Sequence, residues 1–246
     1  MIKLITLITK FIIVTLTALL FASCNHMINM KSIEGSGHVT TEKRIVQGDF
    51  KSVAVSNALE LVIEQSDKTE IIVEADDNLQ KEITTKVENG KLIIACDYHS
   101  FRNIKSKKVT VKMPVIDQLE ASSAATIKSS NTIKAENIKV DASSAASIAL
   151  TIESDTIFCE SSSGSTIAIN GKALALETKG SSGSTIDAND LLANEIKAHA
   201  SSGASVNIHP IVSLDATASS GGSVSYNTVP KSIRKEANSG GSVHQQ

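Results

Sequence analysis

The chain has 246 residues, with 24 Lys and Arg against 26 Asp and Glu, so its formal net charge at neutral pH is −2. This balance excludes the strongly basic surface of a nucleic-acid-binding domain, and we expect no nucleic-acid partner. Trp is absent and only five Phe and two Tyr occur, which favours a core of thin layers built from Ile, Val, Leu and Ala.

Residues 1–23 have the pattern of an export signal. Lys3 and Lys10 precede an apolar run, Phe11 to Ala22, that is short for a membrane-spanning helix. The run ends in Leu-Phe-Ala-Ser-Cys24, which resembles the lipoprotein box of bacteria with Cys24 as the first mature residue. We therefore predict lipid attachment at Cys24 and anchorage to the outer membrane of the cell envelope, facing the periplasm or the cell surface. The alternative is an ordinary secretory signal with a chance cysteine.

Residues 24–38 are polar, lack periodicity and contain Gly35 and Gly37, so we predict a short tether. Residues 39–246 contain no linker and are predicted to form one domain. Its first part, 39–115, alternates apolar and polar residues at irregular spacing. We predict strands at 69–75, 83–87, 92–96 and 109–113, and a polar, basic loop at 98–108.

Two local patterns in this first part predict particular structures. Asn89-Gly90 stands between two alternating stretches, which indicates an antiparallel hairpin. Such a hairpin can cap the end of a stacked structure and protect its open edge. The stretch from Val53 to Ile63 resembles the later repeats if Asn57 is placed at the centre of a corner.

The second part, 116–246, contains one motif seven times. The first copy is Ala-Ser-Ser-Ala-Ala-Thr-Ile at 121–127 and the last is Ala-Asn-Ser-Gly-Gly-Ser-Val at 237–243. Successive copies begin 21, 19, 19, 20, 18 and 19 residues apart. A fixed period near twenty indicates a repeat architecture. The second serines of the seven motifs are Ser123, Ser144, Ser163, Ser182, Ser202, Ser220 and Ser239.

Apolar or small residues occupy alternate positions on both sides of each second serine. Four positions after it, every copy has Ile or Val: Ile127, Ile148, Ile167, Ile186, Val206, Val224 and Val243. A period of two indicates strands with one face inward, and about twenty residues accommodate three short strands and their bends. The sequence therefore predicts an all-β protein, a parallel β-helix (β-solenoid) of about 19–21 residues per coil with its coils in register.

The sequence also resembles a known family. The segment 41–56 (TEKRIVQGDFKSVAVS), the segment 87–94 (VENGKLII) and the Ser-Ser-Gly repeats are similar to DUF2807, also described as an auto-transporter adhesin, head GIN domain, and common in Bacteroidetes. The resemblance covers roughly 39–243 and implies a β-helical fold and an envelope location, without a defined activity. The family often has Ser-Gly-Gly-Ile-Asn where this chain has Ser-Asn-Ala-Leu-Glu at 56–60.

Catalytic motifs are not evident. The six histidines (His26, His38, His99, His199, His209 and His244) show no metal-ligand spacing, and neither a Gly-x-Ser-x-Gly motif nor a phosphate-binding loop occurs. We predict no catalytic residue, no metal and no cofactor. Three residues before the second serine, Glu120, Asp141 and Glu160 are expected to stack on adjacent coils, either as an acid/base or cation site or, as we favour, as a solvated outer face.

Two cysteines remain after Cys24. Cys159 occupies an inward position and is expected to be a buried thiol. The sequence does not decide whether Cys159 forms a disulfide with Cys96. We predict a non-enzymatic, adhesin-like binding or structural module whose partners are the membrane, through the lipid, and a polysaccharide or envelope protein, with self-association also considered. The alternative is a polysaccharide lyase or hydrolase on a β-helix scaffold.

Overall fold

A computed structural model describes residues 31–98 and 100–246, together with Lys10, Phe11, Val14 and Thr15. Cys24 lies outside the described residues. Within the described part of the chain, no helix is long and apolar enough to cross a membrane. Within the described residues, all nineteen strands and the hydrophobic core lie between residues 32 and 246, so the segment 31–246 includes the whole of the described fold.

The strands are β1 (Ser32–Glu34), β2 (Val39–Arg44), β3 (Ser52–Val55), β4 (Glu60–Gln65), β5 (Glu70–Asp76), β6 (Ile83–Glu88), β7 (Lys91–Cys96), β8 (Ser100–Arg102), β9 (Lys107–Met113), β10 (Gln118–Ala121), β11 (Thr126–Ser129), β12 (Ile133–Ala142), β13 (Ser147–Ser161), β14 (Thr166–Gly180), β15 (Thr185–Ala200), β16 (Ser205–Ala218), β17 (Ser223–Tyr226), β18 (Ser232–Ala237) and β19 (Ser242–Gln245). Seventeen of them form one continuous sheet, and β1 pairs with β8 separately. The sheet winds into a β-solenoid of about seven turns, as the repeat predicted.

Each regular coil has three faces. The entry face leads into the Ser-rich corner and contains β3, β10, the ends of β12 to β16, and β18; the exit face follows the corner and contains β4, β11, the starts of β13 to β16, β17 and β19. A short back face joins them, for example at 152–154 paired with 171–173. Each strand pairs in parallel with the strand of the next coil, so equivalent residues of successive repeats become neighbours.

The Ser-rich corners are tight turns of one kind. Ser123 and Ala124 have φ of 52° and 60°, and the Ala125 N–H donates to the Ser122 carbonyl oxygen over 3.1 Å. Two successive positive φ values with this bond define a type I′ turn. The same pair of positive φ values recurs at all seven corners and at Asn57 and Ala58 (59° and 55°). The interpretation of Asn57 as a corner is confirmed.

Hydrogen bonds also join each corner to the next one. The Ala124 N–H donates to the Ser144 carbonyl oxygen over 2.9 Å, and the Ala145 N–H donates to the Ser163 carbonyl oxygen over 3.0 Å. Each turn therefore satisfies backbone groups of its neighbour, in addition to the ladder bonds of the strands. This explains how a backbone conformation unfavourable for Ser and Ala persists: a stacked neighbour holds each turn in place.

The inward side chains stack by type. Ile167 and Ile186 are register partners, and both are fully buried. This confirms the prediction that these alternate positions of the strands point inward. Near the corners the inward residues shrink to Ala or Ser, and the buried serines bond within the core. The Ser161 and Ser165 hydroxyl oxygens are 2.8 Å apart, and the Ser184 hydroxyl donates to the Ser161 carbonyl oxygen over 2.7 Å. Small hydroxyl residues can occupy these positions because the narrow core offers backbone acceptors.

The N-terminal part departs from the regular coil. β7 pairs in parallel with β3, and β9 pairs in parallel with β4, so these two strands extend the stack beyond the first coil. Antiparallel strands then continue the sheet at this end: β6 pairs with β7, β5 with β9, and β2 with β5. The hairpin predicted at Asn89-Gly90 is confirmed as β6–β7, with positive φ at both residues.

Two expectations for this part need correction. The predicted loop at 98–108 contains β8 and the start of β9, and β8 pairs with β1. The sequence does not indicate β8, because this strand has only three residues and no alternation of apolar and polar residues. The predicted tether likewise includes β1, so residues 32–34 belong to the folded part. The β1–β8 sheet and the loop around it bring partly buried Ile33, Tyr98 and Phe101 against the core.

Asp76 fixes this arrangement. Its fully buried carboxylate accepts N–H bonds from Gly37 (2.9 Å), Lys105 (2.8 Å) and Ser106 (3.0 Å). Burial acts to raise the pKa of this carboxyl, but the bonds from Ser106, Gly37 and Lys105 outweigh it and hold the pKa below its ordinary value. A Cβ on Gly35 would lie 2.8 Å from Asp76 Oδ1, so the chain passes here only as glycine.

Candidate functional site

One outward row of side chains runs along the regular coils at the corner. We call it the serine ridge: Ser123, Ser144, Ser163, Ser182, Ser202, Ser220 and Ser239. All seven residues are exposed. Because the corners stack in register, their Cα atoms follow one another at the spacing of neighbouring strands, about 4.8 Å. None of the seven hydroxyl groups has a hydrogen-bond partner in the described part of the chain, so all are available to a ligand.

A second hydroxyl row accompanies the ridge on the exit face. It consists of the residues three positions after each ridge serine: Thr126, Ser147, Thr166, Thr185, Ser205, Ser223 and Ser242. Register pairs join these residues from coil to coil, as at Ser147 with Thr166 and Thr166 with Thr185. The two rows form a long polar surface without a charged or aromatic residue, which suits many weak hydrogen bonds to an extended polar partner.

The entry face carries the three carboxylates predicted to stack. Glu120 pairs in register with Asp141, and Asp141 pairs with Glu160, so the predicted alignment is confirmed. Lys91 forms an ion pair with Glu120, and Lys139 lies 3.1 Å from Asp141. Gln118 Nε2 also donates to Asp141 Oδ2 over 2.8 Å. Two of the three carboxylates are therefore already bound by side chains of the protein.

These carboxylates border a shallow depression of about 610 Å³. It forms because the outward residue of β3 is the small Ala54, whose neighbours in the ladder are Glu120 and Ile93. Lys91 reaches Glu120 across this gap. Lys91 could not be placed beside Glu120 from the sequence, because the Asn-Gly signal locates the hairpin but not the position of β7 beside β3 in the stack.

The other candidate residues do not converge. His199 is exposed on the entry face, whereas His209 lies at the bend between the exit and back faces, where its Nδ1 is 3.1 Å from the Asn189 carbonyl oxygen. His26 and His99 lie outside the described residues. In the part of the chain that the structure describes, no group of three or more His, Cys, Asp or Glu side chains could hold a metal ion.

Cys96 and Cys159 are both buried free thiols, so the open question of a disulfide between them is settled. Burial raises the pKa of both thiols, which keeps them protonated and unreactive at neutral pH. Cys159 packs in the inward position predicted for it, 2 % exposed.

These features define a parallel β-solenoid with a continuous hydroxyl surface and antiparallel strands closing its N-terminal end. The chain belongs to the DUF2807 family, described as "Putative auto-transporter adhesin, head GIN domain", whose sequence model matches residues 49–230. The resemblance noted in the sequence is thereby confirmed. The comparison with curated proteins found no match.

Solved structures share the fold. A "putative adhesin" from Bacteroides fragilis superposes with a TM-score of 0.78 at 18 % identity, covering 87 % of this chain and 100 % of its own. A "putative adhesin" from Parabacteroides merdae gives 0.69 at 18 % identity, with 87 % and 99 % covered. A "putative lipid binding protein" from Parabacteroides distasonis gives 0.66 at 18 % identity, with 88 % and 100 % covered. At this identity the likeness concerns the fold.

Proposed function

We propose that the protein is a non-enzymatic binding module of the cell envelope, held to the outer membrane by a lipid on Cys24, that binds an extended polar polymer along the serine ridge. The partner class is a polysaccharide or a hydroxyl-rich envelope component. The observation that carries the proposal is the row of seven exposed serines with free hydroxyl groups at strand spacing. The adhesin description of the family agrees with a binding role.

The chemistry of the ridge predicts how tightly it binds. An exposed hydroxyl exchanges a bond to water for a bond to the ligand, so each contact contributes only about 1 kcal/mol. Aromatic side chains, which supply much of the contact energy in tight recognition, are absent from both hydroxyl rows. Binding is therefore weak for one repeat unit of the polymer and grows with the number of coils it contacts at once.

The alternative function, glycan cleavage, has one observation in its favour: the aligned Glu120, Asp141 and Glu160 beside a depression. Cleavage needs an acid and a base in different protonation states. Glu120 and Asp141 are instead engaged in ion pairs with Lys91 and Lys139, so a glycan would have to displace these lysines to reach either carboxylate. A binding surface on the ridge needs no such pair, so we favour binding without turnover.

Residues 31–246 incubated with a panel of polysaccharides and envelope fractions test both functions. We expect retention that rises with polymer length, and no release of reducing-end or unsaturated products. Products that disappear in the variant Glu120→Gln/Asp141→Asn/Glu160→Gln would establish the enzyme instead. If no polymer or fraction is retained and the protein forms concentration-dependent oligomers, a purely structural role replaces binding.

The lipid anchor has its own test, because binding and anchoring are separate properties. In the full chain expressed in a Gram-negative host, we expect partitioning into the detergent phase and an acylated Cys24 in the mass spectrum of the mature N-terminus. Cys24→Ala should move the protein to the aqueous phase. An unmodified Cys24, or cleavage at another bond, would contradict the anchor and leave the binding proposal intact.

A further inference from the structure

The last coil differs from all the others at its inward positions. In the preceding coils these residues are almost completely buried, whereas every residue of β18 is exposed and Ile233 is 38 % exposed. β18 pairs with β16 on one side only, and on its other side no strand of the described chain follows. Exposed apolar residues beside a free strand edge are the usual site of edge-to-edge association between chains.

One residue interrupts this pattern. Four positions before the ridge serine, the inward residue is apolar or small in every coil but the last, where it is Lys235: Leu119, Val140, Cys159, Thr178, Ala198, Ala216 and Lys235. The Lys235 Nζ donates to the Tyr226 hydroxyl oxygen and lies 4.6 Å from the centre of the Tyr226 ring. Tyr226 itself is 4 % exposed, so the lysine covers the last large residue of the core.

We propose that Lys235, held over Tyr226, keeps the C-terminal edge of the solenoid from pairing with a second copy of this chain. Pairing at β18 would bury the ammonium group, which loses its water without gaining a carboxylate, since the inward residues beside it are Ile233 and Ala237. The cation–π contact and the hydrogen bond to Tyr226 hold the charge at the edge, where it opposes association. This device would leave the serine ridge of each molecule free for the partner proposed above, but it does not depend on that partner.

Replacing the charge should expose the tendency it suppresses. In the variant Lys235→Leu of residues 31–246, the inward row becomes continuously apolar, and we expect a two-fold rise in mass by analytical ultracentrifugation. A dimer is expected because the same edge on two copies pairs around a two-fold axis and closes. Fibres are not expected, since the strands with an unpaired side at the opposite end, β2 and β6, carry charged residues that oppose pairing, such as Lys43 and Lys86.

Lys197→Leu is the matched control. Lys197 lies on the entry face and points outward, so its replacement removes the same charge and adds the same apolar group away from the edge. We expect this variant and the unmodified segment to remain monomeric over the concentrations at which Lys235→Leu dimerises. A monomeric Lys235→Leu with an unchanged melting curve, or an unmodified segment that already dimerises through β18, would overturn the proposal.

Discussion

The regular coils and the N-terminal part of the solenoid both consist of stacked β-strands, but different contacts stabilise the two regions. In the coils, each side chain packs on its equivalent in the next repeat, as Ile167 does on Ile186, and each corner bonds to the next. In the N-terminal part, contacts join segments far apart in the chain: Asp76 binds Gly37 and Ser106, and Lys91 reaches Glu120. The coils therefore depend on repetition, and the N-terminal part depends on a few specific polar contacts.

The first test breaks the repetition itself. Ile167→Asp places a carboxylate in a fully buried column between Ile148 and Ile186. We expect a loss of about 4 kcal/mol or more, a large share of the about 5–15 kcal/mol that holds a typical domain folded, so the variant should unfold or aggregate. Glu160→Gln, exposed on the entry face, is the control and should melt like the parent chain. Equal melting curves for the two variants would show that the assignment of Ile167 as inward and Glu160 as outward is wrong.

The second test concerns backbone geometry within the coils. Gly171 has φ of 121°, and a Cβ there would lie 2.0 Å from the Ile152 carbonyl oxygen of the neighbouring coil. Gly171→Ala should destabilise the protein by at least about 2 kcal/mol, because strain from the disfavoured φ adds to the clash. The control, Gly164→Ala, has φ of 71° and open space around its Cβ. It should cost only about 1 kcal/mol, since Ala124 and Ala145 already occupy the equivalent position.

Chemical denaturation of the two glycine variants measures the difference between their free energies of unfolding. The comparison is valid if the dependence of that free energy on denaturant concentration is the same in both variants. Similar losses for Gly171→Ala and Gly164→Ala would show that the coils do not hold the chain at the close approach described at Ile152.

The third test addresses the N-terminal part alone. The pKa of Asp76 is lower in the folded protein than in the unfolded chain, so its contribution to stability is complete above the unfolded value of about 3.9 and is lost as pH falls through the folded value. Hydrogen exchange in residues 31–38, corrected for the intrinsic pH dependence of amide exchange, should therefore accelerate at acid pH while the coils stay protected. Asp76→Asn should accelerate it already at neutral pH, at a cost of about 1–3 kcal/mol.

Glu74→Gln is the control for that experiment. Glu74 also has a lowered pKa, through bonds from Lys108 and Ser106, but it is less buried, and among the described residues no side-chain hydrogen bond or ion pair joins it to residues 31–38. If exchange in residues 31–38 is the same in both variants, Asp76 is not what holds the segment against the domain.

The same contrast explains how much of the structure could be predicted. The corners, including the one at Asn57, and the inward direction of Ile167 follow from local patterns, because parallel stacking places equivalent residues of successive repeats side by side. The β1–β8 pair, the position of β7 beside β3 and the ion pair of Lys91 with Glu120 depend on contacts between distant segments without a repeat to align them. The alignment of Glu120, Asp141 and Glu160 was predictable because these residues belong to the repeat. The ion pair of Lys91 with Glu120 was not, because Lys91 lies in a distant segment outside the repeat.

The coils form a scaffold, and we propose that the serine ridge is the surface that binds. Ser163→Ala/Ser182→Ala/Ser202→Ala removes three adjacent hydroxyl groups that are exposed and unbonded within the described chain, so we expect melting within about 0.5 kcal/mol of the parent. Retention on the polymer or envelope fraction bound by the parent should fall at least several-fold, because adjacent contacts act together. The matched control, Thr156→Ala/Ser213→Ala/Thr217→Ala, removes the same number of hydroxyl groups from outward positions of the entry face, away from the ridge. Unchanged retention by the ridge variant, or an equal loss in the control, would contradict the account.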